Sequence, residues 1–430
     1  MSGAILASGL SLERVNGRER LSGQVSIGGA PPLPVWVEGA RLGSQKPAWD
    51  PFVPALALLG TARGLDVRIE GDVSPELIRG AGKAAHIWSG WSVQLGRGPL
   101  RSPSIVASGA PSRAVRHQGA AVFFSAGVDS FYSLLTNLRR YGAGDVRRPG
   151  TLILIHGLDI PLDNTALFDA SERAVRQVAG VFGLDVLVVG TNVRALLTGI
   201  DWAVFSHEPC MMAAALALAG RIDAVYVPSA YGADELKPNA VHPLVDPLWS
   251  TETVDIVHHG LDASRGEKVA AIAASPVAMG HLRVCWENPG NAYNCGRCEK
   301  CFRTMLDLWG AGALERSATL PHEFDAAALA ALRIPPHLVS FWQTAIDRAA
   351  ARGLDPATIR QLSNTVRQSR FETTGFARRM NRLAREAAKW GLDPARLKAL
   401  DARWSGGAGL RALRRFQGVA AEPGTSGRTA

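Results

Sequence analysis

The chain reads as an α/β protein whose central part forms a parallel sheet, and three observations lead there. Strand-like and helix-like segments alternate regularly between residues 119 and 228, the order that sets crossover helices between parallel strands. Within that stretch, the short apolar run Ala121–Phe124 passes through a turn of small residues, Ser125–Ser130, directly into an amphipathic helix. This strand–turn–helix unit aims backbone N–H groups and the positive helix start at an anion. Finally, 47% of the 430 residues are hydrophobic, enough for more than one core, and this length suits two or three compact units.

Residues 1–117 read as a small α+β domain. VSIGG and VWVEG are strand-like, Pro51–Gly64 is a helix, and DVRIEG is strand-like again. A second helix opens at Ser74, Pro75 and Glu76, a cap residue followed by a ring that fits the first turn and an acid that suits the helix dipole. This part carries no recognisable chemistry. Ser102–Gln118, with Pro, Ser, Gly and Arg, reads as a linker.

Residues 118–312 form the central domain, Rossmann-like in its alternation. After the strand Ala121–Phe124 and its turn comes a helix with Phe131, Leu134, Leu135 and Leu138 on one face, ended by Gly142. Thr151–His156 is a strand, and Asn164–Phe182 a helix with Leu167, Val175 and Val178 inward. Asp185–Val189 is a strand, Glu208–Ala219 a buried helix and Ala224–Val227 a further strand. Ligands of such sheets gather at the carboxyl ends of the strands. That places His156, Gly157 and Asp159, then Thr191 and Asn192, then residues 228–237 beside the Ser125–Ser130 turn. Residues 313–419 read as a helical domain and 420–430 as a disordered tail.

The turn reads SAGVDS. The small side chains of Ser125, Ala126, Gly127 and Ser130, with Val128 opening the helix, let a phosphate approach the main chain. The serine hydroxyls add donors, and the Asp129 carboxylate suits a magnesium ion shared with phosphates. An ordinary strand-to-helix turn with a Ser/Asp cap is the plainer reading.

Four of five cysteines lie within seventeen residues: Cys285, then Cys295, Cys298 and Cys301 in CGRCEKC. Four thiolates with tight C-x-x-C turns describe a closed structural zinc site. An iron–sulfur cluster is the rival, and disulfides or unrelated thiols are the bland alternatives. Cys210, in an apolar helical stretch, reads as core. In YGADELK, Asp234 and Glu235 suit magnesium and Lys237 suits a leaving pyrophosphate, although a solvated loop explains the segment as well. His207, His242, His258 and His259 are given no role.

Together, SAGVDS and the C-x9-C-x-x-C-x-x-C group about 160 residues later resemble the PP-loop ATP pyrophosphatase superfamily, and within it the 7-cyano-7-deazaguanine synthase branch. The superfamily's usual loop is S-G-G-x-D-S; Ala126 stands here where the second residue is glycine. The resemblance covers roughly residues 119–312. It implies an adenine nucleotide alpha hydrolase-like fold that uses ATP, magnesium and zinc. Ser125, Ala126, Gly127, Val128, Asp129 and Ser130 are then expected to hold the phosphates, with His156 and Gly157 near the adenine. Asp129 and Lys237 are expected to be catalytic, and Cys285, Cys295, Cys298 and Cys301 to bind zinc. The implied reaction adenylates a carboxylate or carbonyl of a small-molecule or macromolecular acceptor, releases pyrophosphate and transfers nitrogen.

The net charge is +9, with a late concentration of Arg and Lys from Arg367 to Arg415. Basic C-terminal helices docking RNA, and hence an RNA-modifying enzyme, are one reading; a solvated helical face is the other. A nonenzymatic, zinc-bearing nucleotide-binding adaptor is a third possibility for the chain as a whole. No apolar run reaches the roughly 18 residues of a membrane span, and the first residues lack the pattern of a signal peptide. A cytoplasmic protein without a membrane partner is therefore expected. HExxH, GxxxxGK[ST] and GxSxG motifs are absent, which argues against three common enzyme classes.

Overall fold

The computed structural model describes residues 3–43, 46–109, 119–335 and 338–372. The basic residues beyond 372 and the tail 420–430 lie outside the described residues, as does most of the expected linker. In chain order the first stretch contains β1 (Ile5–Val15), β2 (Arg18–Ile27), β3 (Leu33–Gly39), α1 (Val53–Arg63), β4 (Val67–Asp72), α2 (Pro75–Gln94) and β5 (Ile105–Gly109). Then come β6 (Ala120–Phe123), α3 (Val128–Arg140), β7 (Pro149–His156), α4 (Thr165–Phe182), β8 (Asp185–Thr191), α5 (His207–Ala217), β9 (Ala224–Pro228), β10 (Asp255–His259), α6 (Arg265–Ala273) and α7 (Pro276–His281). The remainder is helical: α8 (Glu299–Gly310), α9 (Ala326–Ala331), α10 (Val339–Ala351) and α11 (Pro356–Glu372).

Among the described residues, ten strands join one sheet in the order β10-β9-β6-β7-β8-β3-β2-β1-β4-β5. From β10 to β8 every pairing is parallel, as the alternation of strands and helices predicts. β1 and β2 form a hairpin through Asn16-Gly17, both at positive φ, the turn whose twist matches that of the strands. β3 then runs antiparallel to β8, with Val37 opposite Thr191 and Gly39 opposite Val189. A division between residues 117 and 118 therefore separates strands that share a ladder. Here the composition of the chain suggests a linker, but hydrogen bonding continues across the two stretches. The same apolar core takes Trp49, Phe52 and Trp88 from the first stretch and Val189, Met212 and Trp249 from the second.

The helices follow the sequence periodicity closely. Ser74 caps α2 by accepting from the Leu77 N–H, and Asn164 caps α4 by accepting from the Leu167 N–H. Leu167, Val175 and Val178 are buried. α5 is buried along its whole length beyond His207, and its alanines let it lie close to its neighbours. Cys210 within it is fully buried, and burial pushes its thiol up to about 12.

Two compact units emerge: Met1–Cys295 with Arg316–Leu320, and Gly296–Glu315 with the described residues from Pro321 onward. In the second, Glu299 at the start of α8 accepts from Arg303 and from the Trp342 indole N–H, each at 2.7 Å. That shared carboxylate fixes α10 against α8. Among the described residues no helix is long and apolar enough to cross a membrane.

Candidate functional site

The Ser125–Ser130 turn leaves the sheet at the carboxyl end of β6. Phe124 makes the last bond to the neighbouring strand, donating to the Ile153 carbonyl at 2.8 Å. The rings of Phe124 and Phe131 meet edge to face at 4.9 Å and pin the two ends of the turn. Between them Ala126 is buried and sits at φ 59°, a left-handed conformation that costs an L-residue about 1 kcal/mol. Its carbonyl accepts from the Arg283 N–H at 2.9 Å.

α3 begins at Val128 without a side-chain cap, and the Ser130 hydroxyl donates back to the Gly127 carbonyl at 3.0 Å. Phe131 is the first residue to bond within the helix, to Gly127 at 2.9 Å. Among the described residues the backbone N–H groups of Gly127, Val128 and Ser130 meet no carbonyl acceptor. The turn thus has the unpaired donors that an anion needs.

The carboxylate expected to serve a metal is held by an arginine. Asp129 receives Arg265 Nη1 on both oxygens, at 2.9 and 2.7 Å. Arg265 opens α6 and is only 5% exposed, and its Nε and Nη2 are buried without a partner. A cation at a helix start opposes the helix dipole, and the arginine of the SRGE capping box is the sequence signal by which this residue could have been found. Three residues on, Lys268 is buried and donates to the carbonyls of Ser229 at 2.8 Å and Tyr231 at 3.2 Å. Burial holds its pKa below the ordinary lysine value, with the Asp129 charge opposing that shift. Lys268 thereby anchors the segment that carries Lys237, whose ammonium lies over the Tyr231 ring at 4.8 Å. Of the acid pair in that segment, Glu235 accepts from the Gly232 N–H at 3.2 Å, while Asp234 is exposed.

His156 and Gly157 sit at the end of β7, next to the turn in strand order, but they build a tight bend of their own. His156 stacks on Phe168 at 3.9 Å, and its Nε2 lies 3.0 Å from the Pro161 carbonyl. Gly157 has φ 103°, and a Cβ there would stand 2.1 Å from the Thr191 carbonyl oxygen. Among the histidines given no role, His258 contacts Asp246 at 2.7 Å and His259 lies 3.0 Å from the Ser133 hydroxyl.

Cys285, Cys295, Cys298 and Cys301 converge, with all four sulfurs within 4.8 Å of one another. A tetrahedral ion with metal–sulfur bonds of about 2.3 Å sets its sulfurs about 3.8 Å apart, so the group fits a single metal ion such as zinc. A multi-iron cluster binds its thiolates to different irons and needs them farther apart. Gly296, between the first two cysteines of CGRCEKC, has φ 67°, and a Cβ there would meet Pro321 at 2.5 Å. Asparagines stiffen the segment between Cys285 and Cys295: Asn288 Nδ2 donates to the Asp159 carbonyl at 3.1 Å, and Asn164 Nδ2 donates to Asn291 Oδ1 at 2.8 Å.

The fold and this group define a mixed α/β protein with a largely parallel sheet and a four-cysteine site for a metal ion. Comparison with known protein families, with curated proteins and with solved structures found no match.

Proposed function

We propose that the chain is an ATP-dependent enzyme of the PP-loop pyrophosphatase type, similar to the 7-cyano-7-deazaguanine synthase branch. It adenylates a carboxylate or carbonyl of an acceptor, releases pyrophosphate and passes the activated carbon to a nitrogen nucleophile. Arg265 carries this reading. Its guanidinium is buried against the carboxylate of Asp129, in the first turn of the helix that the Ser125–Ser130 turn opens, with Nε and Nη2 lacking partners. Buried donors of this strength are costly to leave unpaired, and an arginine fork beside a helix start matches polyphosphate oxygens.

In this reading the turn's N–H groups and Arg265 grip the triphosphate tail. An acceptor oxygen attacks the α-phosphorus, the bond to the bridging oxygen breaks, and the charge that grows on departing pyrophosphate meets donors already in place. The nitrogen nucleophile then displaces AMP. Asp129 orients Arg265, and Lys237 is the second cation for the leaving group. Magnesium would accompany the triphosphate and neutralise part of its charge. Zinc in the four-cysteine group is structural, since four sulfurs complete its tetrahedron.

Incubation with ATP, magnesium, ammonia and a panel of carboxylic acids tests the proposal. AMP and pyrophosphate are expected in equal amounts, with the rate reduced at least about 100-fold in Arg265→Met. ATP bound but uncleaved with every acid overturns it. That outcome is the signature of a second reading, a nonenzymatic nucleotide-binding protein, which the engagement of Asp129 by Arg265 favours.

A further inference from the structure

A short series of hydrogen bonds runs from the cysteine group to the Ser125–Ser130 turn. Asn294 stands immediately before Cys295. Its Oδ1 accepts from the N–H groups of Val284 at 2.8 Å and Cys285 at 3.1 Å. Its Nδ2 donates to the carbonyls of Leu282 at 2.8 Å and Thr319 at 3.1 Å. The side-chain amide thus uses both acceptor sites and both donors, and it clasps the backbone of Leu282–Cys285 to the residue beside Cys295. Inside that clasp, the Arg283 N–H donates to the Ala126 carbonyl at 2.9 Å. Ala126 is the left-handed residue, at φ 59°, and such a residue keeps its conformation only where its surroundings enforce it. The Ala126 peptide in turn sets the direction of the N–H groups that follow.

We propose that Asn294 is a positioning residue that couples metal occupancy at Cys285 and Cys295 to anion affinity at the turn, so that each ligand strengthens binding of the other. This inference rests on the proposed anion-binding role of the turn. A metal ion holds the Cys285 and Cys295 sulfurs together. Asn294 carries that restraint to Arg283, and Arg283 carries it to Ala126. Without the ion, the ends of the segment part, Ala126 relaxes toward ordinary angles, and the donors diverge. Such coupling is reciprocal, so pyrophosphate must tighten metal binding by the same factor.

The experiment uses the full chain and inorganic pyrophosphate. Calorimetry compares zinc-loaded protein with protein stripped by a chelator, and circular dichroism monitors the fold. Pyrophosphate affinity is expected to fall about tenfold on stripping. In Ala126→Gly the dependence on zinc should shrink to less than about twofold, because glycine adopts left-handed angles unaided. Asn294→Ala should keep one zinc per chain yet bind pyrophosphate as weakly as the stripped protein. A merely structural asparagine would lower stability without changing the response to zinc.

Should stripping unfold the protein, the reciprocal measurement decides. Transfer of zinc to a chromophoric chelator, corrected by a protein-free control, should slow by the same factor when pyrophosphate saturates the loaded protein. Equal pyrophosphate affinity with and without zinc, or zinc release indifferent to pyrophosphate, overturns the coupling and leaves the proposed function intact. If zinc-loaded protein fails to bind pyrophosphate at all, the proposed function fails first and takes the coupling with it.

Discussion

Arg265, the first residue of α6, holds both carboxylate oxygens of Asp129, the second residue of α3, through a single nitrogen at 2.9 and 2.7 Å. The arginine is almost wholly buried, whereas the carboxylate side chain keeps 21% exposure. The two partners are therefore unequal. Asp129→Asn strips the counter-charge from a buried guanidinium and should destabilise the fold by about 3 kcal/mol. Arg265→Met removes the buried charge itself and should be milder. Urea unfolding of the two variants measures the ranking, and a larger loss for Arg265→Met would mean that water already solvates the guanidinium.

Ala126 provides a backbone test. Glycine relieves the left-handed angle, worth about 1 kcal/mol, but adds freedom to the unfolded chain, worth about 0.4–1 kcal/mol in the other direction. Ala126→Gly should leave stability within about 0.5 kcal/mol of the natural chain by denaturant titration. Ala126→Val meets both a forbidden conformation and a filled core, and should lose at least about 2 kcal/mol.

The four-cysteine group is checked by stoichiometry. Native mass spectrometry should find one metal ion per chain, and Cys285→Ser or Cys301→Ser should abolish it. Four thiols should become reactive to a thiol reagent once a chelator removes the ion, while Cys210, fully buried in α5, stays unreactive. Several irons with inorganic sulfide would overturn the single-ion geometry.

Burial shapes the pH response. It lowers His242 and His259 from 6.5 to about 4. The unfolded chain takes up those protons near pH 6.5 and the folded chain only near 4, so their contribution is full above 6.5 and is lost as the pH falls through that window. Glu208 acts in the opposite sense: burial, reinforced by the Asp246 charge, raises its carboxyl well above the ordinary value. Its contribution declines as the pH rises above about 4.5. His259→Gln should flatten the acid limb of stability between pH 6.5 and 4, and Glu208→Gln should raise stability at pH 7. Urea midpoints across that range measure both.

Short-range chemistry was legible in the chain from the start. The alternation from Ala121 to Val227, the cap at Ser74, the small-residue turn before α3 and the spacing of the cysteines depend on residues a few positions apart. Periodicity and steric size decide such features locally. The partners of Asp129, His156 and Glu235 in the folded chain were not legible in the same way. Asp129 meets a residue 136 positions away, and β3 pairs with a strand about 150 residues downstream. The Ala126 carbonyl is held by Arg283, from the far end of the sheet domain. No local pattern encodes these meetings. They follow from strand order and from burial, which makes an unpaired charge or carbonyl too costly to leave alone, and only the tertiary structure determines which groups are buried together.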